Sequence, residues 1–368
     1  MSALELALQR SKYKHLSDEE WRWFLQQVEG RERTADKLPT FASIADWWYP
    51  VRLSCEQCSS ELTATYKASL MTNGQKLMAD LTGGYGVDTY FLSERFEHTD
   101  YVEQNAELCR IAEHNFANKS IDIHNSTAEE FLASAGQYDL IFLDPARRDS
   151  HGGKVFRLED CTPNVVELLP TLLSHSKRLM LKLSPMLDIS QAVNTLSAVN
   201  WDIHIVAIKN EVKEVLLLSG GNGTITAIDL SEPEKAFVFT KDEEKESTIT
   251  YNLFPTTYLY EPNAAILKAG AYKLVAQRFG LQKLDVNTHL YASDQVVENF
   301  PGRVWKIKEP TPSLPKGKEL YQANVLTRNY PLTPEQLKKK LHLRDGGTAF
   351  VIGCRVNGKP TLFYAERV

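Results

Sequence analysis

A carboxylate, a proline and two guanidinium groups follow directly on an apolar stretch in the middle of this 368-residue chain. The stretch 140–143 ends in Asp144 and Pro145, and Arg147 and Arg148 come within the next three residues. Open α/β sheets bind ligands at the carboxyl ends of their strands, so Asp144 is predicted to be a site residue. The arginines are predicted to bind substrate, because a guanidinium binds phosphate and stacks on bases. The alternative is that they pair with the neighbouring acids Asp149, Glu159 and Asp160.

A glycine-rich turn follows an earlier apolar stretch, in the segment MADLTGGYGVDT. Asp80 stands at the end of the predicted strand, and Gly83, Gly84 and Gly86 belong to the turn. Glycine has no Cβ, so the backbone of such a turn can approach a ligand closely. The carboxylate can orient the N–H groups of the turn and meet the cationic amino end of a methionine moiety. A glycine-rich turn alone is also typical of ordinary loops, so a second element is needed.

Glu103 supplies that second element, because it ends the next predicted strand, 23 residues after Asp80. An acid at about this spacing hydrogen-bonds ribose hydroxyls in sites for dinucleotides and for S-adenosylmethionine alike. Lys182 and Ser184 end the fifth predicted strand and are predicted to line the mouth of the substrate site. Since the carboxyl ends of parallel strands meet at one edge of a sheet, Asp80, Glu103 and Asp144 are expected around a single pocket.

The elements that must position these residues alternate between short apolar runs and helical patterns from residue 76 onward. Such alternation predicts a doubly wound parallel sheet. The last two predicted strands are joined by only three residues, 209–211, so the final strand must be antiparallel. Six parallel strands with one inserted antiparallel strand are the topology of class I methyltransferases that use S-adenosylmethionine, and a nicotinamide-binding Rossmann domain lacks that hairpin. Further along, residues 241–246 are predicted to be a surface loop or linker and residues 258–280 a helix.

The composition is that of a folded soluble protein, with 43% hydrophobic and 24% charged residues. No apolar run reaches the roughly 18 residues of a membrane span, and the first residues lack a signal-peptide pattern. A cytoplasmic protein without membrane contact is therefore expected. The net charge of −5 hides a basic stretch, because residues 303–344 carry ten Lys and Arg against three Glu. A polyanionic partner is one interpretation of this stretch, and a solvated helix face is the other.

The five cysteines predict neither a disulfide framework nor a metal site. Cys55 and Cys58 form a lone C-x-x-C pair, without the second pair or the histidines that a structural zinc site uses. Cys161 offers a thiol for a covalent mechanism at a pyrimidine, but a buried structural cysteine is the commoner case. No metal is expected.

With these residues in view, the chain resembles the class I S-adenosylmethionine-dependent methyltransferases, and more narrowly a bacterial group that carries a THUMP-like domain. The segments that carry the resemblance are DLTGGYGVDT, VEQN, FLDPARRD with GGKVF, LKLSPMLDI, KNEVKE, YLYEPNAAILKAGA, YASD with VENFPGRVWKI, and LKKKLHLRDGG. The resemblance covers nearly the whole chain and implies S-adenosyl-L-methionine as the cofactor. It implies an α/β fold with a Rossmann-like seven-stranded sheet, an N-terminal helical region and a C-terminal α+β region.

The resemblance also implies four domain limits. An N-terminal helical region would occupy residues 1–66, the methyltransferase domain 67–225, a linker and ferredoxin-like module 226–300, and a basic THUMP-like domain 301–368. THUMP domains proper bind RNA, usually tRNA. The implied partner is therefore tRNA or rRNA.

Carried over residue by residue, Asp80, Gly84 and Gly86 match the first cofactor motif of the family, and Glu103 matches the acid that binds ribose. Where the family usually has an acid that reaches the adenine amino group, this chain has Thr127. A hydroxyl or a backbone N–H group in this stretch is the predicted replacement.

Asp144 and Pro145 match the first half of the motif that methyltransferases acting on exocyclic amines place beside the transferred methyl group. There an acid and a backbone carbonyl accept hydrogen bonds from the amine, and an aromatic ring stacks on the base. Ala146 and Arg147 replace a proline and that ring, so stacking must come from elsewhere or from a guanidinium. Asp144 and Pro145 are thus the predicted catalytic residues, and the predicted substrate-binding residues are Arg147, Arg148, Lys182 and Ser184.

These observations predict an enzyme that methylates a base nitrogen in tRNA or rRNA with S-adenosylmethionine. Two alternatives stay open: a methyltransferase for a small molecule or a protein, and a non-catalytic RNA-binding protein with a vestigial cofactor site. A nicotinamide oxidoreductase would require the terminal hairpin to be absent. The sequence leaves the methylated nucleotide, the atom and the oligomeric state open.

Overall fold

The computed structural model describes residues 3–147, 157–252, 254–255, 257–309 and 321–368. Arg148 lies outside these ranges, and only the backbone of Arg147 is described. The chain forms two compact units, which are Met1–Trp201 with Leu216–Gly221, and Asp202–Val215 with Asn222–Val368.

The helices of the first unit are mostly short. They are α1 Ala3–Ala7, α2 Asp18–Thr34, α3 Pro39–Ser43, α4 Arg52–Gln57, α5 Glu61–Ser69, α6 Val87–Ser93, α7 Ala106–Asn115, α8 Ala128–Leu132, α9 Val165–His175 and α10 Ile189–Thr195. The longest, α2, begins where the Ser17 hydroxyl accepts from the N–H of Glu20 and the Glu20 carboxylate accepts from the N–H of Ser17. This exchange satisfies donors that a helix start leaves free. Across the described ranges, no helix has the length and apolar character to cross a bilayer.

The strands of the first unit deliver their carboxyl ends to the predicted pocket. They are β1 Gln75–Asp80, β2 Phe96–Glu103, β3 Ile121–Asn125, β4 Tyr138–Leu143, the short strands β5 Ala146–Arg147 and β6 Cys161–Thr162, and β7 Ser176–Leu183. Five of these pair in parallel, in the order β7-β4-β1-β2-β3, and β5 pairs with β6 in a separate two-stranded ribbon. Met78, Leu140 and Met180 are buried in the core packed against this sheet.

The sheet continues through β8 Trp201–Ile208, β9 Glu211–Ser219, β10 Thr224–Asp229 and β11 Phe237–Thr240, in the order β11-β10-β8-β9-β7-β4-β1-β2-β3. Lys209 and Asn210 join β8 to β9 with positive φ at both residues, as in a two-residue hairpin turn. The predicted hairpin is therefore present. The sheet has nine strands and not the expected seven, because β10 and β11 extend it beyond β8. Without them β8 would expose unpaired backbone groups along its edge.

The second unit contains a separate seven-stranded sheet. Its remaining elements are α11 Lys241–Glu246, β12 Tyr258–Pro262, α12 Ala264–Ala269, α13 Leu274–Arg278, β13 Gln282–Asp285, β14 Thr288–Ser293, β15 Gly302–Glu309, β16 Tyr321–Gln322, β17 Asn324–Arg328, α14 Pro334–Lys340, β18 Leu343–Arg344, β19 Ala349–Val356 and β20 Lys359–Arg367. The sheet order is β13-β14-β12-β15-β20-β19-β17, and β16 pairs with β18 apart from it. Leu259, Trp305 and Phe363 are buried in its core.

Two local predictions for the second unit are wrong. Residues 241–246 form helix α11 where a loop is expected, because Thr240 caps the helix and Glu243 accepts from the N–H of Thr240. Residues 258–280 contain β12, α12 and α13 where a single helix is expected. Gly270 ends α12 in the left-handed conformation, with φ of 80°.

A substitution at Gly302 tests how closely the backbones of β12 and β15 pack in the second sheet. It pairs with Pro262 across β12 and β15, and a Cβ at this glycine would overlap the carbonyl oxygen of Glu261. We expect Gly302→Ala to lower the free energy of unfolding by about 1–3 kcal/mol, because backbone atoms must shift to make room. Gly136→Ala is the matched control, since a Cβ there meets no atom within 4 Å. Urea denaturation followed by circular dichroism measures both variants, and equal stabilities would contradict this account.

Candidate active site

One cavity of about 360 Å³ collects the acids predicted from the ends of three strands. Asp80 and Glu103 are the last residues of β1 and β2, Asp144 follows β4, and all three line the cavity. This is the crevice that an open α/β sheet leaves beyond the carboxyl ends of its strands. Predicted residues that line the same cavity are Gly83, Gly84, Gly86, Thr127 and Lys182.

The glycine turn fits against two aromatic rings. A Cβ at Gly83 would overlap the ring of Tyr101, and a Cβ at Gly86 would overlap the ring of Phe116. Gly84 and Gly86 also have φ of 55° and 81°, which other residues rarely adopt. The Tyr101 hydroxyl donates to the carbonyl of Gly84 at 2.6 Å. Glycine is therefore required both for the path of the backbone and for close packing, and α6 starts directly after the turn.

Asp80 is almost fully buried, with 1% of its surface exposed, although it lines the cavity. Its Oδ1 accepts from the N–H of Thr82 at 3.0 Å, and its Oδ2 accepts from the Thr89 hydroxyl at 2.6 Å. Burial raises the pKa of Asp80 to about 7, and these hydrogen bonds offset only part of the rise. A cation bound beside Asp80 would stabilise its ionised form.

Glu103 connects the end of β2 to the glycine turn. Its Oε2 accepts from the N–H of Gly84 at 2.9 Å, and its Oε1 accepts from the N–H of Asn105 at 2.8 Å. A carboxylate oxygen has more than one lone pair, so both oxygens can still accept from hydroxyl groups of a ligand. Glu103 thus holds the turn in place and faces the cavity with its remaining acceptor capacity.

Ser126 and Thr127 line the cavity between β3 and α8. The Thr127 hydroxyl accepts from the N–H of Glu130 at 3.2 Å, and the Glu130 carboxylate accepts from the N–H of Thr127 at 3.2 Å. Thr127 is therefore a helix cap. Because the cap uses its backbone N–H and a lone pair of its hydroxyl, the hydroxyl proton is what Thr127 retains for a ligand.

Asp144 and Lys182 form an ion pair at the cavity wall, with 2.5 Å between Asp144 Oδ2 and Lys182 Nζ. The N–H of Asp144 donates to the Thr82 hydroxyl at 2.6 Å, which ties the end of β4 to the glycine turn. The Asp144 side chain is 40% exposed and that of Lys182 is 13% exposed. Lys182 therefore orients a carboxylate that remains accessible from the cavity.

A buried ion network supports Lys182 from behind. Lys182 Nζ lies 3.3 Å from Asp88 Oδ2, and the fully buried Lys67 places its Nζ 3.1 Å from Asp88 Oδ1. Ser59 donates to Asp88 at 2.7 Å and accepts from Lys182 at 3.0 Å. Burial alone would raise the pKa of Asp88, but the charges of Lys67 and Lys182 outweigh it and lower this pKa. The charges alternate from Lys67 through Asp88 and Lys182 to Asp144.

Three residues that make these contacts, Asp88, Ser59 and Thr82, were not predicted from the sequence. Asp88 stands in the first turn of α6, where an acid is ordinary because of the helix dipole. Ser59 and Thr82 carry no charge pattern that distinguishes them from loop residues. The available signal for Asp88 was its place within the glycine-rich segment MADLTGGYGVDT, whose turn begins six residues before the end of the segment. Its partner Lys67, however, belongs to α5, which is distant in sequence.

One predicted substrate-binding residue, Ser184, lies away from the cavity lining that the structure describes. Its hydroxyl accepts from the N–H of Met186 at 3.2 Å. Pro145 is half-buried between Asp144 and Ala146, both of which line the cavity. The Arg147 backbone pairs with Cys161 in the β5–β6 ribbon. The roles of Arg147 and Arg148 stay predictions.

The described cysteines are free thiols, and four of the five are buried. Burial raises the pKa of Cys55 to about 12, so it remains a thiol, and burial also raises the pKa of Cys58. Cys161 is buried, and its Sγ donates to the carbonyl of Arg157. Neither a redox pair nor a covalent nucleophile is indicated by these surroundings.

Two family models match the C-terminal part of the chain. A model of a ferredoxin-like domain matches residues 258–301, and a model described as THUMP domain-like matches residues 302–367. The two matches are contiguous and lie within the second unit.

Two relatives match the chain over nearly its whole length. A crystal structure from Porphyromonas gingivalis W83, of a protein assigned as a methyltransferase, is 33% identical, with a TM-score of 0.85. That alignment covers 96% of this chain and 92% of the other. An uncharacterized S-adenosylmethionine-dependent methyltransferase of Mycobacterium tuberculosis H37Rv is 21% identical over 348 residues, which are 91% of this chain and 92% of the relative.

The buried carboxylate of Asp80 predicts a pH-dependent stability. Its pKa is about 7 in the folded chain against an ordinary value of 3.8, so between these values the unfolded chain binds fewer protons. The contribution of Asp80 to the stability of the folded chain therefore falls as pH rises from about 4 to 7 and levels off above. The quantity to compare is the free energy of unfolding of Asp80→Asn minus that of the native chain. We expect this difference to increase by about 1–3 kcal/mol from pH 5 to pH 8.

Urea denaturation at several pH values measures this difference. Glu129→Gln is the matched control, because Glu129 is an exposed acid that lines the same cavity. A difference between Asp80→Asn and the native chain that stays constant across this pH range would show that Asp80 does not titrate there.

Proposed function

Because the chain belongs to the S-adenosylmethionine-dependent methyltransferases with ferredoxin-like and THUMP-like C-terminal modules, we propose that it methylates a base nitrogen in tRNA or rRNA. The observation that carries this proposal is the Asp144–Lys182 pair in the same cavity as the glycine turn, Asp80 and Glu103. This arrangement supports an enzyme that holds an N–H group of its substrate next to the cofactor.

The residues around the cavity fit S-adenosylmethionine. Gly83, Gly84 and Gly86 line the cavity, so the backbone of the turn is within reach of a ligand. We assign Asp80 to the cationic amino group of the methionine moiety, Glu103 to the ribose hydroxyls and Thr127 to the adenine side. When bound, the cofactor supplies a methyl group that its sulfonium centre has already activated.

Asp144 is the residue proposed to hold the acceptor nitrogen. Lys182 fixes the orientation of its carboxylate, and a carboxylate can only accept hydrogen bonds, so it selects an N–H group over a carbonyl. Pro145 has a fixed φ and no N–H, which limits the path of the backbone beside that carboxylate. Holding the amine protons aligns the nitrogen lone pair with the methyl carbon. Such positioning provides a large part of the rate, and no strong base is required.

The THUMP domain-like match and the basic stretch 303–344 support RNA as the substrate. Several of its cations are paired internally: Lys338 lies 2.6 Å from Asp345, and Lys308 lies 2.8 Å from Glu366. The count of basic residues therefore overstates the positive electrostatic potential that is available to a polyanion. Exposed cations that form no ion pair within the described ranges are Lys306, Lys339, Lys340 and Arg344. These are the residues we assign to the RNA backbone.

Replacing Asp144 separates acceptor positioning from cofactor binding. In Asp144→Asn, Lys182 would draw the amide oxygen toward itself and leave the amide N–H₂ group facing the acceptor N–H. We expect methyl transfer to fall at least about 100-fold while affinity for S-adenosylmethionine stays within about threefold. Mass spectrometry of nucleosides in total RNA, from a deletion strain carrying each variant, measures transfer, and calorimetry measures cofactor affinity.

Glu129→Gln is the matched control and should restore the nucleoside that the deletion strain lacks. If Asp144→Asn lost cofactor affinity equally, Asp144 would support the pocket rather than the acceptor. If the deletion strain and its parent had identical RNA nucleosides, the RNA substrate would be wrong, and a small molecule or a protein would take its place.

Salt dependence tests the assignment of the basic residues. RNA binding through phosphates weakens steeply as salt rises, because bound counterions are released. We expect Lys339→Ala with Lys340→Ala to weaken tRNA or rRNA binding and to reduce the slope of log K against log salt by about 1–2. Lys12→Ala with Lys14→Ala removes two exposed lysines elsewhere and should change neither. Filter binding at several salt concentrations measures these slopes. Equal slopes for the two double variants would contradict the assignment.

A further inference from the structure

Four side chains with metal-binding atoms share one face of the sheet at its β3 edge. His98 and Asp100 are two residues apart on β2, and Asp122 and His124 are two residues apart on β3. Residues two apart on a strand point to the same face, and Asp100 pairs directly with Asp122 across the two strands. A His-x-Asp motif on one strand thus meets an Asp-x-His motif on the next. None of these residues lines the cavity described above.

The donor atoms lie close enough to share one ion. His98 Nε2 is 3.2 Å from Asp122 Oδ2 and 4.0 Å from Asp100 Oδ1, and one ligand atom of each residue lies within 4.8 Å of the others. Around a tetrahedral Zn²⁺, with bonds of about 2.0–2.2 Å, neighbouring ligand atoms are about 3.3–3.5 Å apart. The Asp122 side chain is 67% exposed and that of His98 is 35% exposed, so small rotations would bring both to bonding distance.

Asp100 is already held in a fixed orientation. His124 Nε2 lies 2.7 Å from its Oδ1, and the Tyr138 hydroxyl donates to its Oδ2 at 2.7 Å. The Asp100 side chain is only 15% exposed, and the ring of Phe131 packs on His124 with 4.9 Å between ring centroids. Carboxylates that bind metals are commonly oriented by such hydrogen bonds from neighbouring groups.

The charges at this position also call for a cation. Two carboxylates on directly paired residues repel each other unless a positive group lies between them. Throughout the described ranges, the groups within ion-pair distance of Asp100 and Asp122 are imidazoles, and no Lys or Arg side chain pairs with either acid. Imidazole together with carboxylate suits zinc and similar first-row ions, whereas Mg²⁺ and Ca²⁺ prefer oxygen ligands alone.

We infer that His98, Asp100 and Asp122 bind one first-row divalent cation of the zinc type, with water completing the coordination. Bound there, the ion joins the edge strand β3 to β2. Because β3 leads directly to Ser126 and Thr127 at the cavity, the ion stabilises one wall of that cavity without taking part in methyl transfer. This site is independent of the proposed substrate, and it differs from the expectation that the chain binds no metal.

Calorimetric titration of the full chain with ZnCl₂ tests the site. We expect one ion per chain, and at least a tenfold loss of affinity in Asp122→Asn, whose exposed side chain can be replaced without disturbing the core. Asp46→Asn is the matched control, because Asp46 Oδ2 lies 3.4 Å from His114 Nε2 in a pair that lacks a third donor among the described residues. This control should bind Zn²⁺ as the native chain does.

Co²⁺ as a second probe identifies the ligand atoms. Visible d–d bands without a thiolate charge-transfer band in the near ultraviolet would support nitrogen and oxygen ligands. Absence of binding at about 100 μM Zn²⁺, binding that survives Asp122→Asn, or binding that is lost in Cys58→Ser would each overturn the proposal.

Discussion

An alternating chain of buried charges, Lys67–Asp88–Lys182–Asp144, is the interaction on which the geometry of the site depends. Lys67 has no exposed side-chain surface, and Asp88 has about a tenth. Removing such charges from water costs several kcal/mol each unless close partners compensate. Each charged side chain therefore requires the next one in the series to lie within ion-pair distance. The chain joins α5, α6, the end of β4 and β7, which are far apart in sequence. The segment before α5 is also part of the cavity wall, because Ser54, Gln57, Cys58 and Ser59 line it.

Two buried acids at the same rim have opposite electrostatic character. Asp80 has hydroxyl and backbone N–H partners but no oppositely charged partner among the described residues, and burial raises its pKa to about 7. Asp88 lies between two lysines, whose charges more than compensate its burial and lower its pKa. The difference is the presence of a fixed counter-charge. Asp88 has two counter-charges within the protein, whereas a cationic ligand in the cavity would supply one to Asp80.

The fold was largely predictable where local chemistry and periodicity agree. The βα alternation, the three-residue connection at 209–211 and the Ser17 cap correspond to the parallel sheet, the hairpin and α2. Prediction failed where short segments have mixed signals. Residues 241–246 look like a charged loop but acquire a capping box, and 258–280 has helix-forming residues on both sides of Gly270 but begins as a central strand. Strand pairing with β14 and β15 outweighs helix propensity there.

The sequence by itself determined the sheet class, the edge at which the cavity lies, and the glycines and acids that reach that edge. It did so because strand direction places every carboxyl end on one side, whatever the details of packing. Only the tertiary structure decided which partners those residues have. Lys182 is a predicted substrate residue, and the structure shows that it also pairs with Asp144, while the Ser184 hydroxyl accepts from the N–H of Met186. The meeting of Lys67 with Asp88, and of His98 with Asp122, depends on helix packing and strand register, which bring together residues that no local pattern relates.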